Sequence, residues 1–189
     1  MNPITHFLAG WVVANTAKLE KRDRAMITIA GIIPDVDSFD AFTGLLARNT
    51  ERPLDLVSAY HHVLAHNVGF AMLVALCASA LAKRRRVTVP LVMISFHLHL
   101  LADLVGARGP DGYQWPIPYL LPFSNSWQLA WDGQWAFNAW QNLVITAACL
   151  AMTLFWAWKR SYSPLELVSK RADKAFVEVL RKRFGDPEE

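Results

Sequence analysis

The stretch AGIIPDVDSFD, residues 30–40, ends an apolar run with three aspartates and no basic residue. Like charges this close repel each other unless water screens them or a cation lies between them. Pro34 ends the helix and favours an extended turn, from which Asp35 and Asp37 can each reach one ion. We expect Asp40 to be solvated. The stretch therefore predicts that Asp35 and Asp37 are cation ligands.

Histidine is the second residue type that carries chemistry here. Ionisable side chains in membrane segments are costly and indicate function. His99 and Asp103 are four residues apart and share a helix face, which suits a pair of ligands or a carboxylate that orients a histidine. His97 points to another face, and we expect it to be packed or hydrogen-bonded. All six histidines lie in or beside apolar segments: His6, His61, His62, His66, His97 and His99.

The stretch HHVLAHN, residues 61–67, holds three of these histidines. His62 and His66 are four residues apart and would share a helix face. His61 and His66 would converge only if His61 precedes the helix, so the spacing leaves both His61 and His62 open. His6 follows Thr5, which is a candidate N-cap residue.

The candidate ligands are all nitrogen and oxygen donors. The two cysteines lie inside apolar runs and are expected to be core residues. A donor set without thiolate suits a divalent metal in a catalytic role, with zinc expected first and manganese or iron as alternatives. Such an ion makes water nucleophilic near neutral pH. Since no Ser–His or Cys–His nucleophile pattern is evident, metal-dependent hydrolysis is the predicted chemistry.

The elements that position these residues are expected to be membrane helices. The chain is 53% hydrophobic with a mean hydropathy of +0.20, which is too apolar for a typical soluble domain. We predict an all-α, multi-pass helical bundle with three full-length spans and two short helices. The spans are residues 64–82, 87–105 and 142–158, and the short helices are residues 5–17 and 25–33.

Basic clusters orient this bundle. Residues 18–24, 83–86 and 159–160 are rich in Lys and Arg and adjoin the ends of apolar segments. The positive-inside rule places them in the cytoplasm. Every candidate ligand then lies on the outer side of a bacterial inner membrane.

The chain is predicted to divide into a membrane domain, residues 1–160, and a cytoplasmic tail, residues 161–189. Ser163, Pro164 and Glu166 form a capping-box pattern that predicts the start of an amphipathic tail helix. That helix lies on anionic lipid or packs on the domain as a solvated helix. We expect membrane lipid as a partner and no nucleic acid. The predicted apolar stripe of the helix is Leu165, Val168, Ala172, Phe176, Val179 and Leu180.

Five motifs in order, THFLAGW, AGIIPDVD, HHVLAHN, HLLAD and YLLPFS, resemble the YdjM-like family of bacterial inner-membrane proteins, described as candidate metal-dependent hydrolases. The resemblance covers residues 3–158. The central motif of that family is similar to His-Arg-x-x-Thr-His-Ser and aligns with residues 61–67. It implies His61 and His66 as ligands, with His61 preferred over His62, although the Arg, Thr and Ser differ here.

A more distant likeness concerns the order of the ligands. Histidine, aspartate, histidine and then His-x-x-x-Asp is similar to zinc-dependent phospholipase C and the related single-strand nucleases. That likeness implies a phosphoester substrate, lipid-linked if the site is at lipid depth. Asp37 is expected to be the general base and His61 a second catalytic residue. The full predicted metal set is His6, Asp35, Asp37, His61, His66, His99 and Asp103.

Two other classes of function stay open on the sequence. Intramembrane His and Asp residues also serve ion pathways, so a metal sensor or transporter is one alternative. A non-catalytic membrane protein that recruits a partner through its tail is the other.

Overall fold

The computed structural model describes residues 1–37, 63–109 and 112–187. These residues contain no β-strand, which confirms the all-helical class for the part of the chain described. In these described ranges, two short 3-10 helices, Ile33–Asp37 and Pro164–Leu167, accompany six α-helices. The α-helices are α1 (Pro3–Ala14), α2 (Lys21–Ala30), α3 (Val68–Leu81), α4 (Arg85–Gly106), α5 (Trp140–Arg160) and α6 (Lys170–Phe184).

Helix α1 begins two residues earlier than the sequence suggested. Asn2 is the N-cap, because its side chain accepts the backbone N–H of Thr5 at 2.9 Å, and Pro3 follows at the first helical position. Thr5 is therefore inside the helix, and its expected role as N-cap is wrong. Its hydroxyl lies 2.6 Å from that of Thr146, which ties α1 to α5.

Among the described residues, two helices, not the three predicted, are long and apolar enough to cross a membrane. They are α4, with 22 residues, and α5, with 21. The predicted span 64–82 is wrong in length, because Asn67 accepts the N–H of Phe70 and caps α3 there. The 14 residues of α3 extend only about 21 Å, short of the ~30 Å hydrocarbon core.

The surfaces of α4 and α5 are apolar as well as exposed. Only 39% of the apolar window of α4 and 17% of that of α5 is buried within the protein. The core helix of a soluble protein would be mostly buried, whereas lipid-facing helices expose their apolar side chains. Leu101 on α4 and Leu143 on α5 are 53% and 67% exposed. This pattern fits two helices in contact with lipid.

Helices α1, α2 and α4 meet at small residues. A Cβ at Gly31 would lie 2.8 Å from the Ser95 hydroxyl and 3.0 Å from the Cα of Gly10. A Cβ at Gly10 would lie 2.8 Å from the carbonyl oxygen of Thr28. Since the three backbones approach this closely, the ionisable side chains next to the contact are brought within reach of each other.

The other short apolar segment, predicted at residues 25–33, is observed as α2, which begins earlier and includes charged residues. Asp23 is buried in its first turn and accepts the backbone N–H groups of Lys83 and Arg84 at 3.0 and 2.9 Å. The Thr88 hydroxyl donates to the same carboxylate at 2.9 Å. Asp23 therefore joins α2 to the start of α4.

The segment between α4 and α5 crosses the ends of the helices at the other end of the bundle. The carbonyl oxygen of Tyr119 accepts the N–H of Val68 at 2.7 Å, at the start of α3. The Gln134 side chain donates to the carbonyl oxygen of Asp103 at 2.8 Å, near the end of α4. The segment thus fixes the helix ends that carry the candidate ligands.

The tail differs from the single helix predicted from Ser163. Ser163 caps only the 3-10 turn Pro164–Leu167, and α6 begins at Lys170 with Ser169 as its N-cap. Glu166 does not close a capping box, because both of its oxygens accept from the Arg24 guanidinium at 2.8 Å. The predicted apolar stripe is largely exposed, with Val168 at 91% and Val179 at 66%.

Candidate metal centre

Four buried residues from three elements converge at one end of the bundle. Each offers one ligand atom, and these atoms lie within 4.8 Å of one another. Helix α1 supplies the first, the 3-10 turn after α2 the second, and α4 the other two. They are His6, Asp35, His99 and Asp103.

Helix α4 supplies the centre of the group. His99 and Asp103 are one turn apart, and His99 Nε2 lies 3.1 Å from Asp103 Oδ2. His99 Nδ1 donates to the carbonyl oxygen of Gly31 at 2.8 Å. Because a carbonyl only accepts, the proton of the neutral ring is on Nδ1 and the lone pair is on Nε2. A backbone carbonyl of this kind commonly orients a metal-binding histidine.

Helix α1 adds His6 beside His99. His6 Nε2 lies 3.1 Å from Asp103 Oδ1 and 3.2 Å from the carbonyl oxygen of Met1. The two imidazole rings are stacked, with centroids 3.7 Å apart. The backbone nitrogen of Met1 also contacts Asp103 Oδ1. Polar groups therefore contact both carboxylate oxygens of Asp103.

Asp35 has the features of a cation ligand. Its Oδ1 lies 3.7 Å from His99 Nε2, and its Oδ2 is buried without a hydrogen-bond partner among the described residues. Burial raises the pKa of Asp35 to about 6, because desolvation disfavours the charged carboxylate. A buried oxygen without a partner is costly, and a bound cation would satisfy it.

His66 brings a further nitrogen to the group from the turn before α3. Its Nε2 lies 3.1 Å from His99 Nε2 and 3.3 Å from Asp103 Oδ2. Its Nδ1 lies 3.1 Å from Asp37 Oδ2, which also accepts the N–H of Ala65 at 3.2 Å. Burial alone would lower the pKa of His66, but hydrogen bonds to Asp103 and Asp37 outweigh it and raise the pKa to about 9. Asp37 thus touches the edge of the ring that faces away from His99.

The distances fit a first-row divalent ion. With metal–ligand bonds of about 2.0–2.1 Å, neighbouring ligands of a tetrahedral ion are roughly 3.3–3.4 Å apart. Asp103 Oδ1 lies 3.1 Å from His6 Nε2. Asp103 Oδ2 lies 3.1 Å from His99 Nε2 and 3.3 Å from His66 Nε2. Nitrogen and carboxylate donors at this spacing suit zinc, manganese or iron.

The structure gathers five predicted ligands around His99 and Asp103. His6 and His66 each contact both of these residues, and Asp35 lies 3.7 Å from His99. Asp37 lies against His66. His61 lies outside the described residues, as do His62 and Asp40. His97 bonds the carbonyl oxygen of Met93 and the Tyr119 hydroxyl, each at 2.8 Å, and stays out of the group as expected.

Sequence reasoning missed two supporting groups. One is the carbonyl group of Gly31, which accepts from His99. The available signal was a glycine in each of two neighbouring apolar segments, Gly10 and Gly31, which allows the two backbones to approach closely. The other is Gln134, whose side chain donates to the Asp103 carbonyl across the bundle end. No local pattern marks Gln134, because its contact depends on how the long segment between α4 and α5 folds back.

Comparisons with known proteins add one relationship. Neither a search of curated proteins nor a search of solved structures found a match. The model of the family described as YdjM inner membrane protein matches residues 1–169, which is most of the chain. Together with the two candidate spans, this match indicates the inner membrane as the location. The chain therefore belongs to the YdjM inner membrane protein family.

Proposed function

We propose that this protein is an integral-membrane, metal-dependent hydrolase that acts on a phosphoester, most favourably a lipid-linked one. The observation that carries the proposal is the buried His/Asp group, in which ligand atoms from three elements lie within 4.8 Å. Ionisable residues at such depth are costly and are retained for function. An ion bound there would activate water and stabilise charge on a phosphoryl oxygen.

The residues have separable roles in this proposal. His6, Asp35, His99 and Asp103 hold the ion, and His66 completes the set. Gly31 fixes the ring of His99 through its carbonyl oxygen. Asp37 positions His66 through Nδ1. The general-base role of Asp37 and the participation of His61 stay predictions.

An apolar groove beside the group supports a lipid-linked substrate. It has a volume of about 360 Å³ and lies between α1, α4 and α5, with His6 and His99 among its lining residues. Val12, Leu101 and Ile145 supply part of its apolar wall. Since Leu101 is 53% exposed, the groove reaches the lipid-facing surface. An acyl or isoprenoid chain placed there would present its phosphoester to the His/Asp group.

The side of the membrane is part of the same proposal. The His/Asp group is at the end of α4 opposite to the basic residues 83–86. The positive-inside rule puts those residues in the cytoplasm, so the group and the groove face the outer leaflet. Adding alkaline protease or a membrane-impermeant label to cells and spheroplasts would test this orientation.

The experiment that tests the proposal joins metal content with activity. The full-length protein is purified in mild detergent, its metals are quantified by elemental mass spectrometry, and the metal-loaded protein is assayed on phosphoesters with and without an apolar chain. We expect about one or two equivalents of a divalent transition metal and hydrolysis that a chelator abolishes. Bound metal without hydrolysis of any phosphoester would favour the sensor or transporter alternative. A well-folded protein that takes up no metal would overturn the proposal.

A further inference from the structure

A cleft lined by basic residues lies at the other end of the bundle, between the α1–α2 connection and the end of α5. Its volume is about 620 Å³. Four cations and two aromatic side chains line it: Lys18, Arg24, Lys159, Arg160, Trp156 and Tyr162. So many like charges around one space are unfavourable unless an anion is drawn into it.

Most of the basic residues that line the cleft lack an acidic partner among the described residues. Arg24 is neutralised by Glu166, which takes two hydrogen bonds of 2.8 Å from its guanidinium. Among the described residues, no carboxylate forms a salt bridge with Lys18, Lys159 or Arg160. The contacts of Arg160 are with neutral oxygens, Asn15 Oδ1 at 3.4 Å and the Tyr162 hydroxyl at 3.5 Å. Three of the cations that line the cleft therefore have no salt-bridge partner in the described part of the chain, although the Lys159 ammonium also lies 5.7 Å from the ring centroid of Phe155.

The two guanidinium groups are held in place by aromatic rings. Arg160 lies 4.0 Å from the ring centroid of Trp156, and Arg24 lies 3.8 Å from that of Tyr162. Stacking fixes the plane of a guanidinium and leaves its N–H edge available for an anion. This applies to Arg160, because the N–H groups of Arg24 already bond Glu166 and the carbonyl oxygen of Leu19. A phosphate group matches that planar edge better than a single-point anion does.

The cleft is well separated from the His/Asp group. Arg84, which immediately precedes α4, donates to the carbonyl oxygen of Lys18 at 2.8 Å, whereas Asp103 lies near the other end of that helix. Asp103 is eighteen positions after Arg85 on α4, which is about 27 Å along a helix. Both candidate spans have an end here, so the cleft is at the level of the headgroups at one membrane surface.

We propose that this cleft binds the phosphate group of an anionic ligand, supplied by a phospholipid headgroup or by free phosphate. Lys18, Lys159 and Arg160 bind the phosphate, and Trp156 holds the Arg160 guanidinium in its plane. The site is independent of hydrolysis at the other end of the bundle. A basic cleft between helices at the headgroup level suits an anionic lipid of the inner membrane.

The test is isothermal titration calorimetry on the full-length protein in a neutral detergent. The probes are short-chain phosphatidylglycerol, short-chain phosphatidylcholine and inorganic phosphate. We expect phosphatidylglycerol to bind about tenfold more tightly than phosphatidylcholine, because its net charge complements the cleft. If inorganic phosphate binds as tightly as phosphatidylglycerol, the source is free phosphate; if it binds more weakly, the source is the lipid.

Variants assign the binding to the cleft. Lys18→Gln with Lys159→Gln should weaken phosphatidylglycerol or phosphate binding by about tenfold or more. Both side chains are exposed, so the fold should be unaffected. The control is Arg85→Gln with Arg86→Gln, which removes two exposed charges from the same end of the bundle outside the cleft lining. An equal loss in both pairs, or no preference for any anionic probe, would overturn the proposal.

A measurement on the unaltered protein guards against misfolding of the variants. Lysines are reductively methylated and quantified by mass spectrometry with and without phosphatidylglycerol. Lys18 and Lys159 should be protected, whereas Lys174, which is 81% exposed on the tail, should not. Equal protection of all three lysines would show a diffuse charge effect and would contradict a site.

Discussion

The Nε2 atoms of His66 and His99 lie 3.1 Å apart, although the two residues are 33 positions apart in the chain. Asp103 Oδ2 lies 3.3 Å from the first nitrogen and 3.1 Å from the second, so the three atoms form a nearly equilateral triangle. A proton can bridge only one edge of such a triangle. A metal ion equidistant from its corners would satisfy all three atoms at once, so the triangle is compatible with the proposed metal site.

The first prediction concerns the two histidines of this triangle. His66→Ala and His99→Ala should each reduce bound metal by at least about tenfold, because each removes a ligand. Elemental mass spectrometry of the purified proteins measures the loss. His97→Ala is the matched control, since His97 is two positions from His99 and, within the described ranges, bonds Met93 and Tyr119 and not the His/Asp group. Full metal occupancy in the double variant His66→Ala, His99→Ala would remove the basis of the metal centre.

The second prediction separates Asp35, a ligand in the proposed metal site, from Asp37, which supports His66 in that proposal. Asp37→Asn should lower metal affinity by roughly 10–100-fold, the usual effect of losing a partner that orients a ligating histidine. Asp35→Asn should cost more, because it alters an atom that faces the ion. Competition with a fluorescent metal chelator gives both affinities. If Asp37→Asn has the larger effect, Asp37 is itself a ligand and the assignment of the two residues is reversed.

The third prediction concerns the helix contact that supports His99. Gly31→Ala places a methyl group 2.8 Å from the Ser95 hydroxyl and 3.0 Å from the Gly10 Cα, so the backbones must separate. Such overpacking costs about 1–3 kcal/mol and would move the carbonyl that orients His99. We expect a lower Tm in detergent and weaker metal binding together. Gly112→Ala is the control, because nothing lies within 4 Å of its added Cβ, although its φ of +81° makes a small loss of stability expected there.

The site was more accessible to sequence reasoning than the fold around it. The i, i+4 spacing of His99 and Asp103 follows from local backbone geometry, and their contact was predicted correctly. The extended turn predicted after Pro34 was wrong, because Ile33–Asp37 forms a 3-10 helix. The length of α3 was not, because apolar residues continue through the turn before it. The helix starts at Val68 because the Asn67 side chain caps it, and a hydropathy profile does not detect a capping hydrogen bond.

The tail is a second place where a local sequence pattern did not predict the structure. The pattern Ser163 to Glu166 has the residue types of a capping box, yet Glu166 bonds Arg24, 142 positions away. A buried Arg24 guanidinium without a carboxylate partner would cost more free energy than a helix end without a capping side chain. Local propensity was overridden by a tertiary contact that the sequence does not mark.

That contact is the subject of the fourth prediction. The side chains of Arg24 and Glu166 are 8% and 9% exposed. Removing either partner alone, as Arg24→Met or Glu166→Leu, should destabilise the protein by about 3–5 kcal/mol, since the other charge is left buried. The double variant should recover much of that loss.

Chemical unfolding in detergent gives the four free energies of unfolding of the cycle. The control pair is Lys174→Gln with Glu178→Gln on the exposed tail, which should change stability by less than about 1 kcal/mol. Additive losses in the double variant would show that the two residues act independently.

The fifth prediction is a pH dependence from Asp23, which lies away from the metal centre. Burial acts to raise the pKa of Asp23, but the backbone N–H groups of Arg84 and Lys83 more than offset it and hold the pKa below its usual 3.8. A carboxylate whose pKa is lowered by folding stabilises the protein at pH values above the pKa of the unfolded state. That contribution is lost as the pH falls below about 4 and through the folded pKa. Asp23→Asn should therefore lower the Tm at pH 7, and the difference between unaltered protein and variant should shrink as the pH is taken from about 5 to about 3. Other carboxylates titrate equally in both proteins, so only the difference reports Asp23. A difference that stays constant over this range would mean that the carboxylate charge does not hold α2 to the start of α4.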